Sequence, residues 1–183
     1  MKKYLLLTFM IVSGFVFGQF TINQEEGLTD FVVTNVPEKK QSEIYSKSKE
    51  WIERTFKNPD FVTKGDIVND YIRFETVDKN YFCQNDKNQL LFNCYTVKSV
   101  VELSFKDGRY KFDVLSTSML VPRFGGGVEY MEIDFKDKTY YKKDKSVRSS
   151  VEKLFRLVPK YYNSMNGDLS NYIAKGIEKN DNW

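Results

Sequence analysis

The segment Phe105-Lys106-Asp107-Gly108-Arg109-Tyr110 constrains the fold more than any other stretch of the chain. Asp-Gly between two alternating apolar runs is a strong hairpin signal. A two-residue type I′ turn needs positive φ at both central positions, which Gly adopts freely and Asp tolerates. The turn sets a register: Phe105 opposite Tyr110, Leu103 opposite Phe112 and Val101 opposite Val114, all six on one face. A slip of one residue would send one strand's apolar set to the wrong side. The same register puts Glu102 opposite Asp113, a like-charge pair that Lys111, diagonal to Glu102, is placed to offset.

Further strands surround this hairpin. Phe31–Val36 is β-rich and stops at Pro37, and Ile67–Thr76 reads as one strand with Ile72 and Phe74 sharing a face. Tyr81–Gln84 and Leu90–Phe105 are separated by the turn-forming Asn85-Asp86-Lys87-Asn88. Pro122 closes the strand that begins at Tyr110, and Gly125-Gly126-Gly127 forms a flexible loop. Val128–Phe135 alternates again, with Met131, Ile133 and Phe135 on one face and Tyr130, Glu132 and Asp134 on the other. Thr139–Lys142 returns as a short partner. An aromatic share of 16% suits such a sheet, since flat rings pack well on a pleated surface.

Two segments follow the helical period instead. Ile44, Ser48, Trp51, Ile52, Thr55 and Phe56 form one stripe that ends before Pro59, with Trp51 expected at the helix–sheet contact. Val147, Val151, Leu154, Phe155, Val158, Tyr162, Met165, Leu169, Tyr172 and Ile173 form another. Ser149 with Glu152 offers it a capping box, and Pro159 inside it predicts either a kinked helix or two consecutive ones. The order is β-α-β-β-β-β-α, which argues for an α+β fold with strands clustered and helices segregated.

The N-terminus reads as a secretory signal over residues 1–18. Lys2 and Lys3 precede an apolar run through Val12, and Val16 and Gly18 stand at −3 and −1 of a small-residue cleavage site. The run is shorter than the ~20 residues that span a bilayer, so no transmembrane anchor is expected after cleavage. Residues 19–27 read as a polar lead, 28–177 as a single domain and 178–183 as a polar tail. The protein is expected to be exported, either periplasmic or secreted.

Composition narrows the chemistry. The chain has no histidine, which excludes the Ser–His–Asp triad, Cys–His activation and imidazole-ligated metal. Its formal charge is +3, and removing Lys2 and Lys3 lowers it to +1, too balanced for a nucleic-acid binder. No metal site and no cofactor are expected. Ser-x-x-Lys occurs twice, at Ser46/Lys49 and Ser150/Lys153, a frequency chance accounts for. The triple glycine lacks the Gly-Lys-Ser/Thr of a phosphate cradle and opens a strand, not a helix. Cys83 and Cys94 sit symmetrically about Asn88/Gln89, where a hairpin would bring them level. An oxidising compartment favours a disulfide between them, and the alternative is a pair of buried reduced thiols.

Glu43-Ile44-Tyr45, Trp51 and Phe56, in a helix after a strand ending at Val36-Pro37, resemble an exported bacterial family. That family is defined as a domain of unknown function with a TATA-binding-protein-like fold. Val101 to Tyr110 is similar to its central hairpin. Where Asn69 and Asp70 stand, small residues would match the family better. The resemblance implies a curved antiparallel sheet with both helices on one face, and it brings no catalytic residue to carry over.

If the helices cover one face, the other is wet or meets a partner. Arg73, Glu75, Lys111, Asp113, Tyr130, Glu132 and Asp134 alternate toward it. Arg73, Lys111, Tyr130, Glu132 and Asp134 are therefore the candidate ligand-binding residues of a non-catalytic exported domain. An envelope protein, a peptide or a glycan would suit their mixed character. Two rival readings are a carboxylate-dependent hydrolase using Glu132 and Asp134, and a purely structural envelope protein. Tyr140, Tyr141, Tyr161 and Tyr162, with lysines around them, form either a second aromatic-plus-basic surface or ordinary half-buried alternation.

Overall fold

The computed structural model describes residues 18–79 and 95–175. Alternating side chains organise the middle of the chain into antiparallel strands. These are β3 (Phe31–Asn35), β4 (Thr63–Ile67), β5 (Tyr71–Asp78), β6 (Val97–Lys106), β7 (Arg109–Pro122) and β8 (Val128–Glu132). They run in the order β3-β7-β6-β5-β4, and β8 joins the other end of β7. A small hairpin of β1 (Ile22–Asn23) and β2 (Gly27–Leu28) precedes them. Helices α1 (Gln41–Thr55), α2 (Pro59–Val62) and α3 (Ser149–Lys175) complete the fold.

The central hairpin has the expected register: Phe105 pairs with Tyr110, Leu103 with Phe112 and Val101 with Val114. Val101, Leu103, Phe105, Tyr110 and Phe112 are fully buried and Val114 is half-buried. The turn itself is not type I′. Gly108 has φ 72, while Asp107 is not among the residues with positive φ. The turn is instead held by the segment between β3 and α1. Gly108 N–H donates to the Lys39 carbonyl at 2.9 Å, and its own carbonyl accepts Val36 N–H at 2.8 Å.

The expected single strand Ile67–Thr76 is two strands, β4 and β5, which pair with each other. Asn69 adopts φ 62 and Asp70 N–H donates to the Ile67 carbonyl at 2.9 Å, closing a tight turn. Asn is one of the few residues that enters the left-handed region easily. Ile72 and Phe74 do share the buried face. The expected strand Val128–Phe135 stops at Glu132, and Met131 is 48% exposed while Ile133 and Phe135 are buried. Thr139–Lys142 is not a strand. Lys138–Tyr140 is a 3₁₀ turn, and Tyr141 makes a lone bridge to Val147. Strand Tyr81–Gln84, the turn at Asn85–Asn88, the beginning of Leu90–Phe105, the Cys83/Cys94 pair and the tail at 178–183 lie outside the described residues.

Both long helices pack on the face that carries Phe74, Leu103 and Phe112. Trp51 on α1 is buried there, with its ring edge-on to Phe56 and Phe74 at 6.1 Å between centroids. Pro159 lies within α3 without ending it, and buried Phe155, Val158 and Tyr162 anchor the turns on either side. Along α3 the core contact is partly polar. The Tyr162 hydroxyl lies 2.7 Å from Ser99 Oγ and 2.7 Å from Thr117 Oγ1, and Tyr161 meets Thr76 at 3.3 Å. Thr117 reaches that position because the β6–β7 register shifts between Val100 and Val101. Such a bulge changes which side chains face inward and bends the sheet.

The core begins earlier than the polar lead suggested. Phe20 is buried beside the rings of Phe112 and Tyr162, each 5.6 Å away between centroids. Asn163 on α3 clamps its backbone: Oδ1 accepts Phe20 N–H at 2.8 Å, and Nδ2 donates to the Phe20 carbonyl at 3.0 Å.

Candidate functional site

With the apolar residues of β5, β6 and β7 turned toward the helices, the intervening residues form the opposite face. One register row crosses it: Phe31 on β3 lies opposite Asp113, Asp113 opposite Glu102, Glu102 opposite Arg73 and Arg73 opposite Gly65. The adjacent carboxylates Glu102 and Asp113 would repel each other uncompensated. Arg73 neutralises Glu102, its Nε and Nη2 donating to Oε2 at 3.0 and 2.7 Å. Lys111 neutralises Asp113 at 2.7 Å, taking the acid on its own strand and not Glu102 as its diagonal position had suggested.

Rings extend the row at both ends. The Lys111 ammonium lies 5.3 Å from the Phe31 ring centroid, and the Arg73 guanidinium 5.7 Å from that of Tyr71. Gly65 makes room for Tyr71: a Cβ at that position would lie 3.2 Å from its ring. Cations over aromatic faces gain roughly 0.5–1 kcal/mol when exposed. The row is therefore an ordered polar surface.

The five candidate residues divide into two groups. Arg73 and Lys111 belong to the row. Tyr130 and Glu132 lie on the same face at the far end of β7, where they pair with Leu120 and Ser118. Lys98 sits 4.7 Å from the Tyr130 ring centroid and 3.9 Å from Glu75. Asp134 falls beyond the end of β8, and its Oδ1 accepts Lys136 N–H at 2.9 Å. Glu132 and Asp134 therefore do not share a strand face as expected, because β8 ends between them. Among the described residues no group of three or more Asp, Glu, Cys or His side chains is placed to hold a metal ion.

Tyr161 and Tyr162 are not a surface, and both are buried against the sheet by the hydrogen bonds described above. Tyr141 is buried as well, its hydroxyl donating to the Phe135 carbonyl at 2.8 Å. Alternation along half-buried elements thus accounts for these tyrosines. Sequence reasoning missed Phe31, Lys98, Lys106 and Arg109 as members of the open face. The alternation around Asp107-Gly108 would have revealed Lys106 and Arg109, because residues two apart share a side.

No family model matches the chain. No curated protein matches it significantly. Two solved structures are similar to it. One is a DUF4468 family protein from Bacteroides ovatus, with a TM-score of 0.63 and 14% identity, covering 83% of this chain and 88% of the other. The second is a TBP-like protein from Parabacteroides distasonis, with a TM-score of 0.58 and 12% identity, covering 81% and 92%. With its antiparallel sheet carrying both long helices on one face, the chain has the TBP-like fold.

Proposed function

We propose that the chain is an exported, non-catalytic binding module whose open sheet face takes a polar ligand or a segment of an envelope protein. The observation that carries this reading is the ordered row from Phe31 through Asp113, Glu102 and Arg73, which among the described residues is left uncovered because the long helices lie on the other side. Phe31, 49% exposed, and Tyr130, 40% exposed, supply ring surface, and the ion pairs between them supply directional charge. That mixture suits a polar or peptide-like partner and not a lipid tail, which needs a continuous apolar lining. Support for export comes from the signal pattern over residues 1–18. Among the described residues no helix is long and apolar enough to cross a membrane.

Thermal-shift screening of the purified protein against glycans and peptides tests the reading, because a ligand selective for the native state raises its melting point. A stabilising ligand should lose its effect in the Arg73→Ala/Tyr130→Ala variant while that variant keeps a native circular dichroism spectrum. A ligand that stabilises the variant as much as the parent places binding elsewhere. Export is tested separately by intact mass: mature material should begin at Gln19.

A further inference from the structure

Lys106 and Arg109 are cross-strand partners on either side of Asp107-Gly108, at the turn end of the open face. Both are exposed, and among the described residues neither has an acidic partner. Like charges directly opposite one another on a sheet are destabilising, so the fold gains nothing from this pair. Asp107, which could have neutralised it, is turned to the helix side, where its Oδ1 accepts Gln41 N–H at 2.8 Å. Lys111, the next outward residue on β7, lies opposite Ser104 and is already balanced by Asp113. These groups border a concavity of about 490 Å³ lined by Lys106, Arg109, Lys111, Ser104 and Val33, with Asp70 as its one acid.

We propose that this concavity is a site for a small oxyanion bearing two or more negative charges. The inference rests on the open-face reading and names the ligand class for one end of that face. The Cβ atoms of Lys106 and Arg109 are roughly 5 Å apart across the strands and that of Lys111 roughly 7 Å away along the diagonal, so their long side chains start close enough to reach one small molecule. Arg109 presents a planar fork to it and Lys106 a point charge, while the Ser104 hydroxyl donates beside Lys111. Binding also relieves the repulsion between Lys106 and Arg109.

Calorimetric titration of the purified full chain with citrate, and separately with pyrophosphate, tests the inference at low and high salt. Saturable, salt-sensitive binding of at least one probe is expected, and whichever binds more tightly separates carboxylate from phosphoryl chemistry. In Lys106→Ala/Arg109→Ala the affinity should fall about tenfold or more, with a melting point no lower than the parent's. Lys57→Ala, which removes an exposed cation just after α1, should leave it unchanged. Absence of binding by both probes overturns the inference, as does parental affinity in the double variant. If both probes are silent while a ligand from the open-face screen is still lost in Arg73→Ala/Tyr130→Ala, this inference falls and the open-face reading stands. Silence in both experiments removes both.

Discussion

The Tyr110 hydroxyl donates to Asn166 Oδ1 at 2.7 Å, tying the central hairpin to the last helix inside the core. Thr34 on β3 completes the group, with Asn166 Nδ2 donating to its Oγ1 at 3.0 Å. All three side chains are buried, and burial holds the Tyr110 hydroxyl well above the usual phenol range. Asn166→Leu would leave Tyr110 and Thr34 without that partner and should cost about 2–4 kcal/mol, against about 1–2 for Tyr110→Phe. Urea denaturation midpoints measure both. An unchanged midpoint for Asn166→Leu would show that the group contributes nothing.

Tyr162 gives the fold an alkaline limit. Burial pushes its pKa from 10.0 up to about 12, with the hydrogen bonds from Ser99 and Thr117 opposing the rise. The raised value means the folded state resists ionisation that the unfolded state accepts. This contribution is complete below pH 10 and is lost as the pH climbs toward 12. Stability measured across that window should fall in the parent and fall less steeply in Tyr162→Phe. Parallel curves would sink the assignment.

Asp107 caps a helix from another element. Lys40, at the start of α1, makes no side-chain cap, and the Gln41 N–H is taken by Asp107. Asp107→Ala should destabilise by about 1 kcal/mol, with Asp107→Asn retaining most of the effect. Equal midpoints for Asp107→Ala and the parent would mean that water serves the helix end as well.

Gly108 is required for its backbone alone. A Cβ there would meet nothing within 4 Å, yet φ is 72. Gly108→Val should cost more than about 1 kcal/mol through strain, and Gly108→Asn less, since Asn tolerates the left-handed region. The order of the two midpoints is the decisive reading, and Val at or above Asn would refute the argument.

Phe20 closes the core from outside the main sheet. Truncation to Ala removes a buried ring and should cost about 3–5 kcal/mol. Asn163→Ala should loosen the same segment, seen as faster hydrogen exchange at the Phe20 amide. A Phe20→Ala midpoint within error of the parent would return residues 19–27 to the status of a polar lead.

The α+β class, helix α1 with Trp51 inward, the hairpin register and the inward set Leu103, Phe105, Tyr110 and Phe112 are all legible in the amino-acid sequence. Each depends on a local period or a turn dipeptide, so neighbours along the chain determine it. The division of Ile67–Thr76 escapes such reasoning because Asn69 is a weak turn signal without a glycine beside it. The phase of Thr117 escapes it because alternation assumes no bulge. Among the candidate site residues, the outward direction of Arg73, Lys111, Tyr130 and Glu132 is readable from alternation. Their separation into two groups is not, since it follows from where β8 ends along β7. Tertiary structure alone decided that Asp107 caps α1, that Asn163 holds Phe20, and that Tyr161 joins Tyr162 in the core. Those contacts join residues far apart in the chain, and sequence spacing carries no information about which polar groups meet once apolar faces have packed.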